Sequence, residues 1–479
     1  MALILRRTQA GNKSPWSARS PAPLWTGSLA LACLTGVAAG ASTALYPSPD
    51  SPWIVAGLVA LLAALIAWFR KPVWALYAAV FVVLLPAGLI SANVQSFLNR
   101  SITVIALITW LFDAIARRRR VTLANTALLM LGLILWSSVT LCWAEDLSRA
   151  TTTLQMYILR FAVYLFLVPN EIRTMDDLQG LMSILALDGW ILILVSAGTF
   201  LTQGYTPATR LQVLAMNEND LGVRTLVALP GVLWLAMRPG QRRKALMGGL
   251  ALAYLLLSMA LVAMSGSRGS ALSWSVTLLA FLFWKPTRRW GEMGLLILAL
   301  LAASVPLLFT TVLERFAVQP GDTLLGGREP VWEAAWMLIS NHPWAGVGIG
   351  NAPFAVMPYL RTITKIRNAV AVPLHNPILT IWAETGIVGL ALYLGMLGTA
   401  IGSFLRHRAG LRAVRPTALS SYLAIVSAVS AGFVFSWIKG GGIEVDFSPF
   451  LILSLLLIPS VIEFAPSRAA EGDKPVAQG

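Results

Sequence analysis

The sequence is poor in charge. Only 12% of its 479 residues are Asp, Glu, Lys or Arg, about half the roughly 25% usual in soluble domains. Too few ionised groups remain to clothe a water-soluble particle of 51.6 kDa, which excludes a soluble globular fold. Cysteine is nearly absent. Cys33 and Cys142 both lie inside apolar runs, so a disulfide framework and a thiolate zinc site are excluded. Histidine is scarce, with only His342, His375 and His407. No Walker sequence occurs, which leaves no ATP-driven pump in the chain. The run Gly346-Val347-Gly348-Ile349-Gly350 is glycine-rich, but no strand–turn–helix pattern surrounds it, which argues against a nucleotide fold.

Apolar residues are abundant: 57% of the chain is hydrophobic and the mean hydropathy is +0.73. Runs of about 20 apolar residues, each able to cross a bilayer as a helix, recur along the whole length. The pattern predicts an all-α, polytopic integral membrane protein. Candidate spans fall near 25–46, 53–69, 72–88, 101–116, 124–143, 153–169, 178–201, 223–237, 245–264, 270–284, 291–311, 377–402, 416–437 and 449–463. The second and third are short and joined by Arg70-Lys71, so the expected total is about 12–14 transmembrane helices. The first apolar core exceeds the roughly 7–15 residues of a signal peptide and is read as a retained helix. The expected divisions are a basic cytoplasmic segment (1–24), a transmembrane bundle (25–311), a long periplasmic loop (312–376), C-terminal transmembrane helices (377–463) and a cytoplasmic tail (464–479).

The net charge of +15 reads as topogenic rather than as an affinity for nucleic acid. With the N-terminus in the cytoplasm, two thirds of the 36 lysines and arginines fall on the inner side. The excess places both termini there. The cations left on the outer side oppose this bias, and Arg315, Arg328, Arg361, Lys365 and Arg367 share the 312–376 connection. Loops of that length are usually functional or disordered, and its aromatic content argues against disorder. Within it, Pro330 suits a first helical turn. Val331, Trp332, Ala335, Trp336 and Ile339 then recur at helical spacing. They predict an amphipathic helix, either on the outer leaflet with its tryptophans at the interface or packed on other spans. Arg160 and Asp188 stand at mid-membrane depth, equally far from the turn between their spans, and are expected to pair.

Side chains able to do chemistry are few. His375, in His375-Asn376-Pro377, stands where the outer loop meets the next span. There it is the main group able to exchange a proton near neutral pH. His342 is in the same loop, and His407 is in a basic cytoplasmic loop. Arg210, Arg268 and Arg328 lie near the outer boundary beside glycines or short turns, and guanidinium forks suit phosphate and pyrophosphate oxygens. Glu444 and Asp446 form an acidic pair without a second cluster, so no metal site is expected. Ser267 has glycine on one side only, a weak match to a nucleophile elbow.

His375-Asn376, followed after nine residues by Gly386-Ile387-Val388-Gly389, resembles the histidine signature of the O-antigen ligase family. Arg268-Gly269-Ser270-Ala271-Leu272 resembles its arginine-x-x-x-leucine element. Arg328 with Trp332, then Pro343 to Asn351, is similar to a run shared by O-antigen ligases, O-antigen polymerases and protein O-oligosaccharyltransferases. Arg210 with Asn217-Glu218-Asn219 is similar to the preceding loop. The resemblance implies a glycosyltransferase, independent of metal and cofactor, on the periplasmic face of the bacterial inner membrane. Its implied donor is a polysaccharide on undecaprenyl pyrophosphate and its implied acceptor lipid A-core. Arg210, Arg268 and Arg328 would correspond to pyrophosphate-binding arginines and His375 to the catalytic histidine. An O-antigen polymerase or protein O-oligosaccharyltransferase would share that donor. A flippase or transporter of lipid-linked sugars is the alternative from another class.

Overall fold

The computed structural model describes residues 62–86, 88–203, 211–214, 216–238, 243–304, 328–364, 370–411, 418–438 and 447–462. The chain divides into two units, Met1–Lys71 and Pro72–Gly479, and every element below belongs to the second. Among the described residues all regular structure is helical. The helices are α1 (Pro72–Leu84), α2 (Ala92–Ala116) and α3 (Asn125–Thr140), then α4 (Leu147–Glu171). There follow α5 (Met175–Gln203), α6 (Glu218–Met237), α7 (Lys244–Ser265), α8 (Arg268–Leu282) and α9 (Arg288–Ser304). Two short helices, α10 (Glu329–Asn341) and α11 (Met357–Ile363), precede α12 (Pro377–Leu411), α13 (Ala418–Ile438) and α14 (Ser448–Leu457).

Each span predicted from residue 72 onward coincides with one of these helices. Span 25–46, most of span 53–69 and both terminal segments lie outside the described residues. Among the described residues seven helices (α2, α4, α5, α6, α7, α12 and α13) are long and apolar enough to cross a membrane, and α1, α3 and α14 are shorter apolar ones. The lipid-facing character shows in what is left uncovered. Phe283 is 84% exposed and Leu201 80%, an inversion of the soluble pattern that suits hydrocarbon surroundings.

Helix starts are set by side-chain caps. Asp146 accepts from the N–H of Arg149 at 2.9 Å to begin α4, and Asn217 accepts from Asn219 at 2.9 Å to begin α6. Between α7 and α8, Gly266 ends one helix in the left-handed region (φ 62°) and Ser267 caps the next through the N–H of Ser270. These devices satisfy N–H groups that a helix end leaves unpaired. Helix α6 is the hub, packing on α5, α7, α8 and α13, while α12 packs on α3 and α14. Arg173 donates to the carbonyl of Arg120 at 2.9 Å, and Arg408 lies 3.8 Å over the ring of Trp284, next to Lys285.

Among the described residues no ion pair joins Arg160 to Asp188. The cation acting on Asp188 is Arg224 of α6, whose guanidinium also donates to the carbonyls of Leu84 and Leu85 at 3.2 Å. Equal path length gives equal depth only for adjacent, regular helices. Here α4 contains a π-helical stretch, Phe161–Leu167, and α5 packs mainly on α6, α1 and α7. Arg160 instead lines a cavity of about 240 Å³ between α1, α2 and α4, with Gln95, Asn99, Thr103 and Tyr164. Its guanidinium lies 5.8 Å from the ring of Phe447, which Arg224 approaches at 5.1 Å.

Candidate active site

The site is organised by a break in α12. Gly386 has φ 66° and ψ −167°, a conformation essentially confined to glycine. A break inside an apolar span releases backbone groups that hydrocarbon cannot satisfy, and four of them have partners outside the helix. The carbonyls of Ala383 and Glu384 accept from the N–H groups of Val347 and Gly348, both at 2.9 Å. The carbonyl of Thr385 accepts from the indole of Trp136 at 2.7 Å. The N–H of Ile387 donates to the carbonyl of Pro343 at 2.9 Å.

The glycine-rich run from Pro343 to Asn351 therefore acts as a backbone plug for the break rather than a nucleotide cradle. Contact is so close that a Cβ at Gly386 would overlap the carbonyl of Trp344, and one at Gly346 (φ 68°) would overlap that of Glu384. The far end of the run is pinned to α3 and α4. Ile349 donates to the hydroxyl of Thr140 at 3.1 Å, and the amide oxygen of Asn351 accepts from Asp146 at 2.8 Å.

His375 stands two residues before α12. The side chain of Asn376 accepts from the N–H groups of Ile378 and Leu379, at 3.0 and 3.1 Å, so Asn376 caps the helix. His375 itself has φ 51°, an uncommon backbone state for a side chain of this size. The preceding residue is anchored: the Leu374 side chain is buried and its carbonyl accepts from the indole of Trp332 at 2.9 Å. Trp332 belongs to α10, so the loop carrying His375 is tied to the helix that Arg328 opens.

That helix is amphipathic, and it packs on protein. Val331, Ala334, Ala335, Leu338 and Ile339 are buried with Val356, Met357, Leu360, Leu374 and Ala383. Of the two readings of its apolar stripe, packing on the rest of the chain is the one found. Trp336 departs from the stripe and is 54% exposed.

Arg328 immediately precedes α10 and is half-buried. Burial lowers the pKa of its guanidinium. It is also the cation whose field reaches His375, whose pKa is lowered by burial and then by Arg328. The imidazole is therefore held neutral at pH 7, with a nearby cation to balance an incoming anion.

Arg268 opens α8 and belongs to a second cluster, at the ends of α6, α7 and α8. There the Ser270 hydroxyl donates to the carbonyl of Asn219 at 3.0 Å and the Trp274 indole to that of Gly222 at 3.1 Å. Leu211 donates to the carbonyl of Met264 at 3.1 Å. The arginine motif and the Asn217–Asn219 motif thus meet. Arg210 lies outside the described residues, as do Glu444 and Asp446. His342 ends α10 and accepts from Gly346 through its carbonyl at 3.2 Å, while the ring of His407 bonds the carbonyl of Ser403 at 2.8 Å. Sequence reasoning missed Glu384, whose side chain is fully buried beside the break. An acid within a predicted span was the available signal. It also gave Arg224, Trp344 and Trp382 no role.

Fold and site together define a polytopic helical membrane protein in which Arg328 opens the helix that holds the His375 loop. Residues 252–394, from within α7 to the first half of α12, match the family model described as O-antigen ligase. Over that segment the chain is similar to the O-antigen ligase family, a likeness that points to glycosyltransferase-type activity. No curated protein matched the chain.

Proposed function

We propose that the protein transfers a polysaccharide from undecaprenyl pyrophosphate to lipid A-core on the periplasmic face of the bacterial inner membrane. The observation that carries this reading is the half-buried His375 under the field of Arg328. Neutral His375 accepts the proton of an acceptor hydroxyl. The hydroxyl oxygen forms a bond to the anomeric carbon as the bond from that carbon to the pyrophosphate oxygen breaks. The configuration inverts, and undecaprenyl pyrophosphate leaves with the electron pair. Arg328 offsets the charge that develops on the leaving group, and the family resemblance assigns Arg268, from the second cluster, and Arg210 to the same pyrophosphate. General-base assistance of this kind is typically worth about 10²–10⁴-fold.

The donor's pyrophosphate also has an electrostatic effect on the base. Placed beside Arg328, it cancels the field that lowers the imidazole pKa, so His375 becomes a stronger base when the donor is bound. The reaction needs no ATP, since the phospho-sugar bond supplies the driving force, and no metal ligand is invoked. The test is reconstitution of purified protein with lipid-linked glycan and, in separate arms, lipid A-core, a second lipid-linked glycan or a peptide. Product on lipid A-core supports the ligase. Product only on a second glycan or on peptide replaces it by a polymerase or a protein transferase. Glycan movement across the membrane without covalent transfer replaces it by a transporter.

A further inference from the structure

We propose that Trp336, Trp382 and Trp344 form an aromatic shelf on which successive sugar rings of the glycan stack, leading away from His375. The inference deepens the transferase reading and rests on it for the identity of the ligand. The buried stripe of α10 faces a protein core, so the apolar face that an interfacial helix would give to lipid is already occupied. Trp336 points elsewhere, and Glu333, Ser340 and Asn341 are exposed on the same helix.

The indoles of Trp336 and Trp382 are held in place from behind. The rings of Trp336 and Trp382 meet edge-to-face, with centroids 5.4 Å apart and planes at 88°. The Trp382 indole donates to the carbonyl of Pro343 at 3.3 Å. The next residue, Trp344, is 75% exposed, while its backbone closes against Gly386. The shelf begins at the reacting end: Trp336 follows Trp332 by one helical turn, about 6 Å, and Trp332 bonds the carbonyl next to His375.

A sugar ring has an apolar C–H face and a rim of hydroxyls. The electron-rich face of an indole attracts the first. The carboxylate of Glu333, the hydroxyl of Ser340 and the amide of Asn341, which donates to the Tyr359 hydroxyl at 2.9 Å, suit the second. The exposed carboxyl of Glu333, one turn from Trp336 on the same helix, suits sugar hydroxyls better than acyl chains. An enzyme that moves a polymer gains from holding more of it than the ring that reacts.

The test uses the full-length protein in detergent and glycan released by mild acid from the source strain's lipid-linked donor. Wild-type protein should bind this lipid-free glycan, and Trp336→Ala and Trp344→Ala should each weaken binding by about tenfold, one decade of affinity. Trp336→Tyr and Trp344→Tyr should restore most of it, which separates stacking from misfolding. His375→Ala should bind as wild type while losing transfer; if it transfers normally, the transferase mechanism fails and the shelf still stands. Equal binding by the alanine variants, or no binding by wild type, overturns the shelf. Quenching of Trp336 and Trp344 by brominated lipid, undiminished by added glycan, also overturns it and makes them membrane anchors.

Discussion

Replacing Gly386 by alanine should undo the site without touching a reacting group. The residue's φ of 66° and ψ of −167° lie where an L side chain costs about 1–3 kcal/mol. The new methyl would overlap the Trp344 carbonyl, a backbone atom that cannot rotate away, and forced overpacking costs a further ~1–3 kcal/mol. A penalty of about 3 kcal/mol shifts the ratio of docked to undocked plug more than a hundredfold. Undocking frees the carbonyls of Ala383 and Glu384 and loosens the α10–α12 contact that holds Leu374. The assay is ligation activity in membranes, normalised to protein level, with thermal stability in detergent. Gly398→Ala is the control: it lies on the same helix with nothing within 4 Å of its Cβ position, and alanine there favours the helix by up to about 1 kcal/mol. Gly386→Ala should lose nearly all activity and melt lower, and Gly398→Ala should do neither. A Gly386→Ala protein as active and as stable as wild type would refute the plug.

Other perturbations have defined directions. The neutral form of His375 is the working one, so kcat/KM falls as pH drops through its folded-state pKa, which lies below the usual ~6.5 because of burial and Arg328. Arg328→Gln should move that acid limb upward, Arg328→Lys should leave it in place, and the limb of kcat should lie above that of kcat/KM because bound donor cancels the field. A limb that ignores residue 328 contradicts the assignment. Trp332→Phe removes one hydrogen bond to Leu374, worth about 1 kcal/mol; kcat should drop about fivefold with little change in KM, measured with lipid A-core as the varied substrate. In double-mutant cycles on detergent stability, Asp188→Asn should couple to Arg224→Gln by roughly 0.5–3 kcal/mol and to Arg160→Gln by less than about 0.5 kcal/mol.

Much of the fold was legible in the sequence because length and hydropathy act locally. A run of apolar residues must become a helix in hydrocarbon, whatever its neighbours are. Pro330 and the Val331–Ile339 stripe likewise announced α10. What could not be read was who faces whom. Asp188 comes under the charge of Arg224 through helix packing that no path-length argument contains. Gly386 looked like one glycine among many in a span, and its role depends on four partners, one of which, Trp136, is 249 residues from the carbonyl it bonds. His375 was visible because histidine is scarce and its place at a span boundary unusual. Its proximity to Arg328 was not readable, since a tryptophan hydrogen bond across 42 residues draws the two segments together. Trp336 had the right spacing for the buried stripe yet faces outward, because Val331, Ala334, Ala335, Leu338 and Ile339 already fill the core contact.

The central claim is that an imidazole near a guanidinium activates a sugar hydroxyl against a lipid pyrophosphate. Its most direct test is a single-turnover reaction of purified protein with undecaprenyl-pyrophosphate-linked glycan and lipid A-core, without ATP or an ion gradient, for wild type and His375→Ala. Wild type should form one glycosidic bond and release undecaprenyl pyrophosphate in equal amount, while His375→Ala, folded and still binding donor, should form none. Transfer by His375→Ala at the wild-type rate would contradict the claim.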